Sequence, residues 1–205
     1  MPLIKNSVLL PAQTGGLDWQ VQVARLQAGS VDERRAAARA LAAEPRAVAE
    51  LAAALNEPAD APLREAIFTS LATQDSAASF AAVLCHLRAD EAELRCFALD
   101  AMKRMPQQAA SRLSALLSDK DPDIRLAACE LARQMQPETA APLLAGLLTS
   151  EPQVNVCAAA IEVLAEIARP AELPSLSACA ARFPAEVFLK FSVEIAANRI
   201  RARTG

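Results

Sequence analysis

Apolar residues recur along this chain with a helical period, and the helical segments themselves recur at a nearly constant interval. VDERRAAARAL, PLREAIFTSL, ELRCFALDAM, DIRLAACELA, NVCAAAIEVL and EVFLKFSVEI align when anchored at Arg34, Arg64, Arg95, Arg125, Cys157 and Phe188, with successive spacings of 30, 31, 30, 32 and 31. Position −1 from the anchor holds Glu33, Leu63, Leu94, Ile124, Val156 and Val187 in turn. Position +4 holds Ala38, Phe68, Leu99, Cys129, Ile161 and Ser192, and +7 holds Leu41, Leu71, Met102, Ala132, Leu164 and Ile195. Offsets of −1, +3, +4 and +7 form one stripe of an α-helix. Such a unit cannot bury its stripe alone, so its repetition predicts a stacked array.

Between these helices lie the shorter apolar segments AVAELAAAL, SFAAVLCHL, ASRLSALL, APLLAGLL and SLSACAARF. Prolines punctuate the pattern. Pro58, Pro122, Pro152 and Pro184 precede the anchored helices, and Pro45, Pro106, Pro137 and Pro170 follow them. Pro142 and Pro174 are expected in first turns, where a missing N–H costs little, so no proline should interrupt a helix interior. The spacing predicts six helix pairs, over about 17–44, 45–74, 75–105, 106–135, 136–168 and 169–202. Residues 1–16 read as an N-terminal tail hinged at Gly15-Gly16, and 17–205 as a single repeat domain.

Composition agrees. Of 205 residues 48 are Ala and 53% are apolar, yet only 3% are aromatic, with one Trp and no Tyr. Ala is the best helix former, whereas strands favour aromatic and β-branched residues, so the chain reads as all-α, an α-solenoid. Five scattered glycines leave no phosphate-cradling loop, and one His removes multi-His metal sites. A net charge of −3 weighs against a nucleic-acid binder, which needs clustered cations. The five cysteines form no CxxC pair, which suits reduced thiols in a cytoplasmic protein. The N-terminal apolar stretch is too short for a secretory signal, and the longest uncharged run, Thr139 to Ser150, is too short to cross a bilayer.

The stretch LLSDKDPDIRLAACELA carries a family resemblance. It resembles the HEAT-repeat signature, an apolar helix ending in LL, an acidic turn, then [IVL]-R-x-x-A-x-x-L. The short repeat interval is similar to that of the bilin-lyase-type HEAT-like repeats found in many bacterial proteins. The resemblance implies a ladder of acidic turn residues and arginines between neighbours, at Asp32 with Arg34, Asp60 with Arg64, Asp90 with Arg95, and Asp121 with Arg125. Cys157 and Phe188 replace the arginine in the last two repeats, so a different cap is expected there. It also implies that the second helix of each pair lines the inner, concave face.

On that face the +5 row reads Arg39, Thr69, Asp100, Glu130, Glu162, Val193, and the +9 row Ala43, Thr73, Arg104, Gln134, Glu166, Ala197, with Glu194 beside the first row. This is a candidate acidic stripe, softened by Arg104 and Arg133, for a basic segment of another protein; the alternative is an ordinary solvated face with Asp100–Arg104 as an i,i+4 pair. Phe183, Phe188 and Phe191 read as a cap on the last core layer, or alternatively as an apolar end patch for a partner.

No catalytic constellation stands out. Cys85-His86 is the only adjacent thiol–imidazole pair, and its plain reading is a core-adjacent Cys beside a solvent-facing His. Cys129 should be buried, and Cys157 partly exposed. A base-flipping glycosylase lacks its aromatic groove here, and a HEAT-fold metal hydroxylase lacks its His-Glu pairs. The expectation is a non-catalytic adaptor or scaffold without cofactor or metal, binding neither nucleic acid nor membrane. The partner is then a signalling assembly or a modifying-enzyme subunit. The alternative, implied by the resemblance, is an accessory subunit of a bilin-lyase-like or other modifying enzyme.

Overall fold

The computed structural model describes residues 15–204. Among these there is no strand, and twelve α-helices follow one another as six antiparallel pairs. The first helices of the pairs are α1 (Gly15–Ala28), α3 (Val48–Ala54), α5 (Ala77–Leu84), α7 (Pro106–Leu117), α9 (Pro137–Leu148) and α11 (Leu173–Arg182). The second helices are α2 (Val31–Ala40), α4 (Ala61–Gln74), α6 (Ala92–Lys103), α8 (Pro122–Ala132), α10 (Val154–Ile167) and α12 (Val187–Thr204). Each second helix packs on the next second helix, and each first helix on the next first helix, giving two stacked layers. Helix α1 starts at Gly15, inside the segment read as a tail; residues 1–14 lie outside the described residues.

Local chemistry sets the helix ends. Ser30 accepts from the Glu33 N–H while the Glu33 carboxylate accepts from the Ser30 N–H, a reciprocal cap that starts α2. Asp60 caps α4 through the Leu63 N–H at 3.0 Å, and Asp121 caps α8 through the Asp123 N–H at 3.0 Å. Pro106, Pro122 and Pro137 each occupy the first position of a helix. Pro142 departs from expectation. Helix α9 begins at Pro137 rather than near Ala141, which leaves Pro142 inside the helix. The exposed Pro142 ring replaces one backbone hydrogen bond, and the buried neighbours Ala140, Ala141, Leu144 and Leu148 hold the helix against that loss.

The stripe is buried as read through five repeats: Leu63, Leu94, Ile124 and Val156 at −1; Ala37, Ile67, Ala98, Ala128 and Ala160 at +3; Leu41, Leu71, Met102, Ala132 and Leu164 at +7. Leu99 is an exception at +4, only half-buried. The sixth repeat differs more. Val187, Phe191 and Ile195, placed in the stripe by an anchor at Phe188, are 77%, 58% and 38% exposed. Helix α12 instead buries Leu189, Val193, Ala196 and Ile200. Counted from Lys190, two positions beyond Phe188, the −1 and +3 positions are buried as in the other repeats, whereas +4 is the exposed Glu194 and +7 the half-buried Ala197. Helix α12 carries two apolar stripes, and packing uses the one the period does not select.

The ladder between repeats exists, with other partners. Arg35 reaches Asp60 of the next repeat at 2.5 Å, Arg64 reaches Glu91 and Glu93 at 2.7 and 3.1 Å, and Arg88 reaches Asp119 and Asp121 at 2.6 and 3.1 Å. Arg34 and Arg95 bond backbone carbonyls instead. Arg125 makes a two-pronged contact with Glu151, at 2.6 and 2.7 Å, and both side chains are almost entirely buried. Where the arginine is missing, α11 and α12 supply others. Arg182 donates to the carbonyls of Leu148 and Glu151, and Arg203 to those of Ala165 and Ala168, covering the C-terminal ends of α9 and α10.

Candidate functional site

The face formed by the second helices holds most of the residues that the sequence singles out. Rows at fixed offsets run across the helices there, because neighbouring second helices stack at about 8–10 Å. Glu130 on α8 and Glu162 and Glu166 on α10 converge on a single cation. Arg133 lies 3.7 Å from Glu130 and 3.5 Å from Glu162, and it hydrogen-bonds Glu166. One guanidinium thus serves three carboxylates, and the cluster keeps a net negative charge. Arg104 crosses from α6 to the Thr69 hydroxyl on α4 at 3.2 Å, and its Nε donates to the Asp100 backbone carbonyl, not to the Asp100 carboxylate. Asp100, Gln134 and Glu194 are exposed. With α12 anchored at Lys190, Ile195 and Arg199 continue the +5 and +9 rows, and Glu194 stands one position off.

The phenylalanines separate. Phe183 ends α11, packs partly buried against the core, and stacks beneath the Arg182 guanidinium at 5.1 Å. Phe188 and Phe191 face outward from α12, 70% and 58% exposed. They line a cavity of about 910 Å³ between α8, α10 and α12, with Leu126, Ala158, Ile161 and Ile195 among its walls. A second cavity, of about 320 Å³, lies between α6 and α8 and includes Cys96, Leu99 and Asp123. Both touch Leu126 and Glu130, so they adjoin at α8 and together make a furrowed strip across four helices.

That furrow was not read from the sequence. Its floor follows position +1, which holds Cys96, Leu126 and Ala158, and Phe191 once α12 is re-anchored. An apolar row outside the packed stripe is the signal that could have found it: from the Phe188 anchor it reads Cys96, Leu126, Ala158 and Leu189, and the rotation of α12 buries Leu189 and puts Phe191 in its place.

Three of the five thiols are buried, and the imidazole packs on Phe68. Cys85 is exposed, its Sγ bonded to the Ala81 carbonyl at 3.3 Å, whereas His86 is half-buried and edge-on to Phe68 at 5.4 Å. This reverses the expected arrangement, because the chain tightens into a 3₁₀ turn over Cys85–Arg88 that rotates the imidazole inward. Burial lowers the His86 pKa. Cys129 is buried as expected, its pKa pushed up to about 12 by desolvation. Cys157 is fully buried, not partly exposed, since no arginine occupies its position and the small thiol closes onto Cys179 and the Glu151 carbonyl. The Cys179 contact and burial both hold Cys157 protonated. No group of three or more His, Cys, Asp and Glu among the described residues could hold a metal ion, and none of the described helices is long and apolar enough to cross a membrane.

Two stacked helical layers with a furrowed, charged second-helix face define an α-solenoid of the kind that presents an extended surface. The family model for HEAT repeats matches residues 80–165 and 109–188, together more than half of the chain. The chain belongs to the HEAT-repeat family. Among solved structures it is similar to the complex of CpcE and CpcF of phycocyanin lyase from Nostoc sp., at 16% identity and a TM-score of 0.40, covering 97% of this chain and 100% of that one. It is also similar to an engineered protein, at 15% identity and a TM-score of 0.41, covering 90% of this chain and 97% of that one. No curated protein matches it.

Proposed function

We propose that this protein is a non-catalytic adaptor or scaffold that binds another protein on its second-helix face. One observation carries the reading. Val187, Phe188, Phe191 and Ile195 expose apolar surface beside a carboxylate cluster at one end of that face. Contiguous exposed apolar area rimmed by charge is characteristic of interaction sites. The carboxylates at Asp100, Glu130, Glu162, Glu166 and Glu194 favour a basic segment, and the three that share Arg133 on α8 and α10 still carry a net negative charge. An accessory subunit of a modifying enzyme is a special case of this reading, with the catalytic chain as the partner.

The test is affinity capture with three baits. These are the wild type, an Asp100→Lys/Glu130→Lys/Glu162→Lys variant, and a control with Gln107→Lys, Thr139→Lys and Ala178→Lys on exposed positions of the first-helix layer. The reading expects a partner retained by wild type and control, lost by the triple face variant, and weakened by salt. A partner held equally by all three baits would move the site off this face.

A further inference from the structure

We infer that the furrow across α6, α8, α10 and α12 receives a basic amphipathic α-helix of the partner protein. This rests on the adaptor reading and specifies its ligand. The furrow floor is apolar, running from Leu99 through Leu126 and Ala158 to Phe191. Carboxylates flank it, Asp123 on one side and Glu130 with Glu162 on the other, and they outnumber the two arginines of the lining, Arg95 and Arg199. A complementary ligand therefore has an apolar stripe and a net positive charge, with its cations opposite Asp123, Glu130 and Glu162. Three helix-to-helix steps of about 8–10 Å give a furrow of roughly 25–30 Å, the length of a helix of about 17–20 residues.

Hydrogen bonding selects a helix over an extended peptide. An extended chain needs partners for the backbone groups it buries against its receptor, and a floor of side chains on α-helices has no sheet edge to offer. The neutral polar side chains in the larger cavity are partly engaged: the Ser192 hydroxyl donates to the Phe188 carbonyl at 3.0 Å, and Asn155 Oδ1 accepts from the Val156 N–H at 3.0 Å, which leaves few groups to bond an extended backbone. A helix brings its own backbone bonds and presents only side chains. Charge disfavours a second copy of this chain, because the lining carboxylates outnumber Arg95 and Arg199 and two copies would carry the same net sign. The open α12 end, where Phe188 is 70% exposed, suits a long ligand better than a small enclosed one.

The experiment is selection from a display library of random 18-residue peptides on the full chain, with counter-selection on a Phe188→Asp/Phe191→Asp variant. Both residues are already exposed, so the variant should keep its helical circular dichroism. The expected pool has apolar residues at helical spacing flanked by Lys or Arg, gains helicity on binding, and loses at least tenfold in affinity against Glu130→Lys/Glu162→Lys. Enrichment of proline-containing or acidic sequences would overturn the inference, as would the absence of any binder sensitive to the Phe variant. Sedimentation showing a dimer abolished by Phe191→Asp would assign the furrow to a second copy and overturn it too. If these fail while the triple face variant still loses its captured partner, the adaptor reading stands and only the helical ligand falls.

Discussion

Replacing Glu151 by Ala isolates the most deeply buried charge in the array. The carboxylate is 1% exposed, and it receives Arg125 Nε and Nη2 at 2.6 and 2.7 Å and the Gln153 N–H at 2.9 Å. Its loss leaves Arg125, 10% exposed, without a counter-charge, although Nη1 keeps the carbonyls of Asp119 and Lys120. Breaking one side of such a pair costs about 3–5 kcal/mol, and the surviving carbonyl bonds place this case near ~3. In a stacked array each repeat touches only its neighbours, so the loss should stay local. Hydrogen exchange read by mass spectrometry should show amides of α8, α9 and α10 opening about 100-fold faster, with α2 and α4 unchanged. The double variant Arg125→Met/Glu151→Leu should recover most of the protection, because it removes the charge with its partner. Exchange within twofold of wild type in α8 and α10, or a double variant as labile as the single one, would refute the reasoning. Acid provides a second check. Burial alone would raise the Glu151 pKa, but the Arg125 and Gln153 hydrogen bonds outweigh it and hold the carboxyl below its ordinary 4.5. A depressed folded-state pKa contributes stability above the unfolded value and loses it as pH falls through the folded one. Urea midpoints should therefore be flat near neutrality and fall below about pH 4.5, less steeply in Glu151→Gln.

Two further comparisons test the packing. Leu164→Ala, in the core with no exposed surface, should cost about 2–5 kcal/mol, whereas Leu99→Ala, half-buried at the furrow, should cost about 1 kcal/mol. Equal urea midpoints for the two would contradict the burial described above. Gly146→Ala meets no atom within 4 Å and should add about 0.5–1 kcal/mol through helix propensity. Gly29→Ala would place its Cβ 2.6 Å from the Arg25 carbonyl oxygen and should instead lose about 1–3 kcal/mol, read by thermal melting.

Helix content, pairing and the two-layer stack were determined by the sequence alone. Local physics suffices for them: Ala-rich segments favour helix, Ser30, Asp60 and Asp121 cap it, and a stripe repeated at a nearly constant interval cannot be buried except against its neighbours. Charges at Glu130, Glu162 and Glu166 were legible too, since they recur at fixed offsets on exposed helix positions. What each charge meets was decided only by tertiary structure. A guanidinium reaches several ångströms, so Arg133 can gather three carboxylates from two helices, and Arg125 can pass over Asp121 for Glu151 in the turn after α9. The rotation of α12 was likewise invisible. Its Val187–Phe191–Ile195 and Leu189–Val193–Ala196–Ile200 stripes are both apolar at helical spacing, so periodicity cannot choose between them. Contact with α10 and α11 selects the second stripe, and leaves the first to form the open end of the furrow.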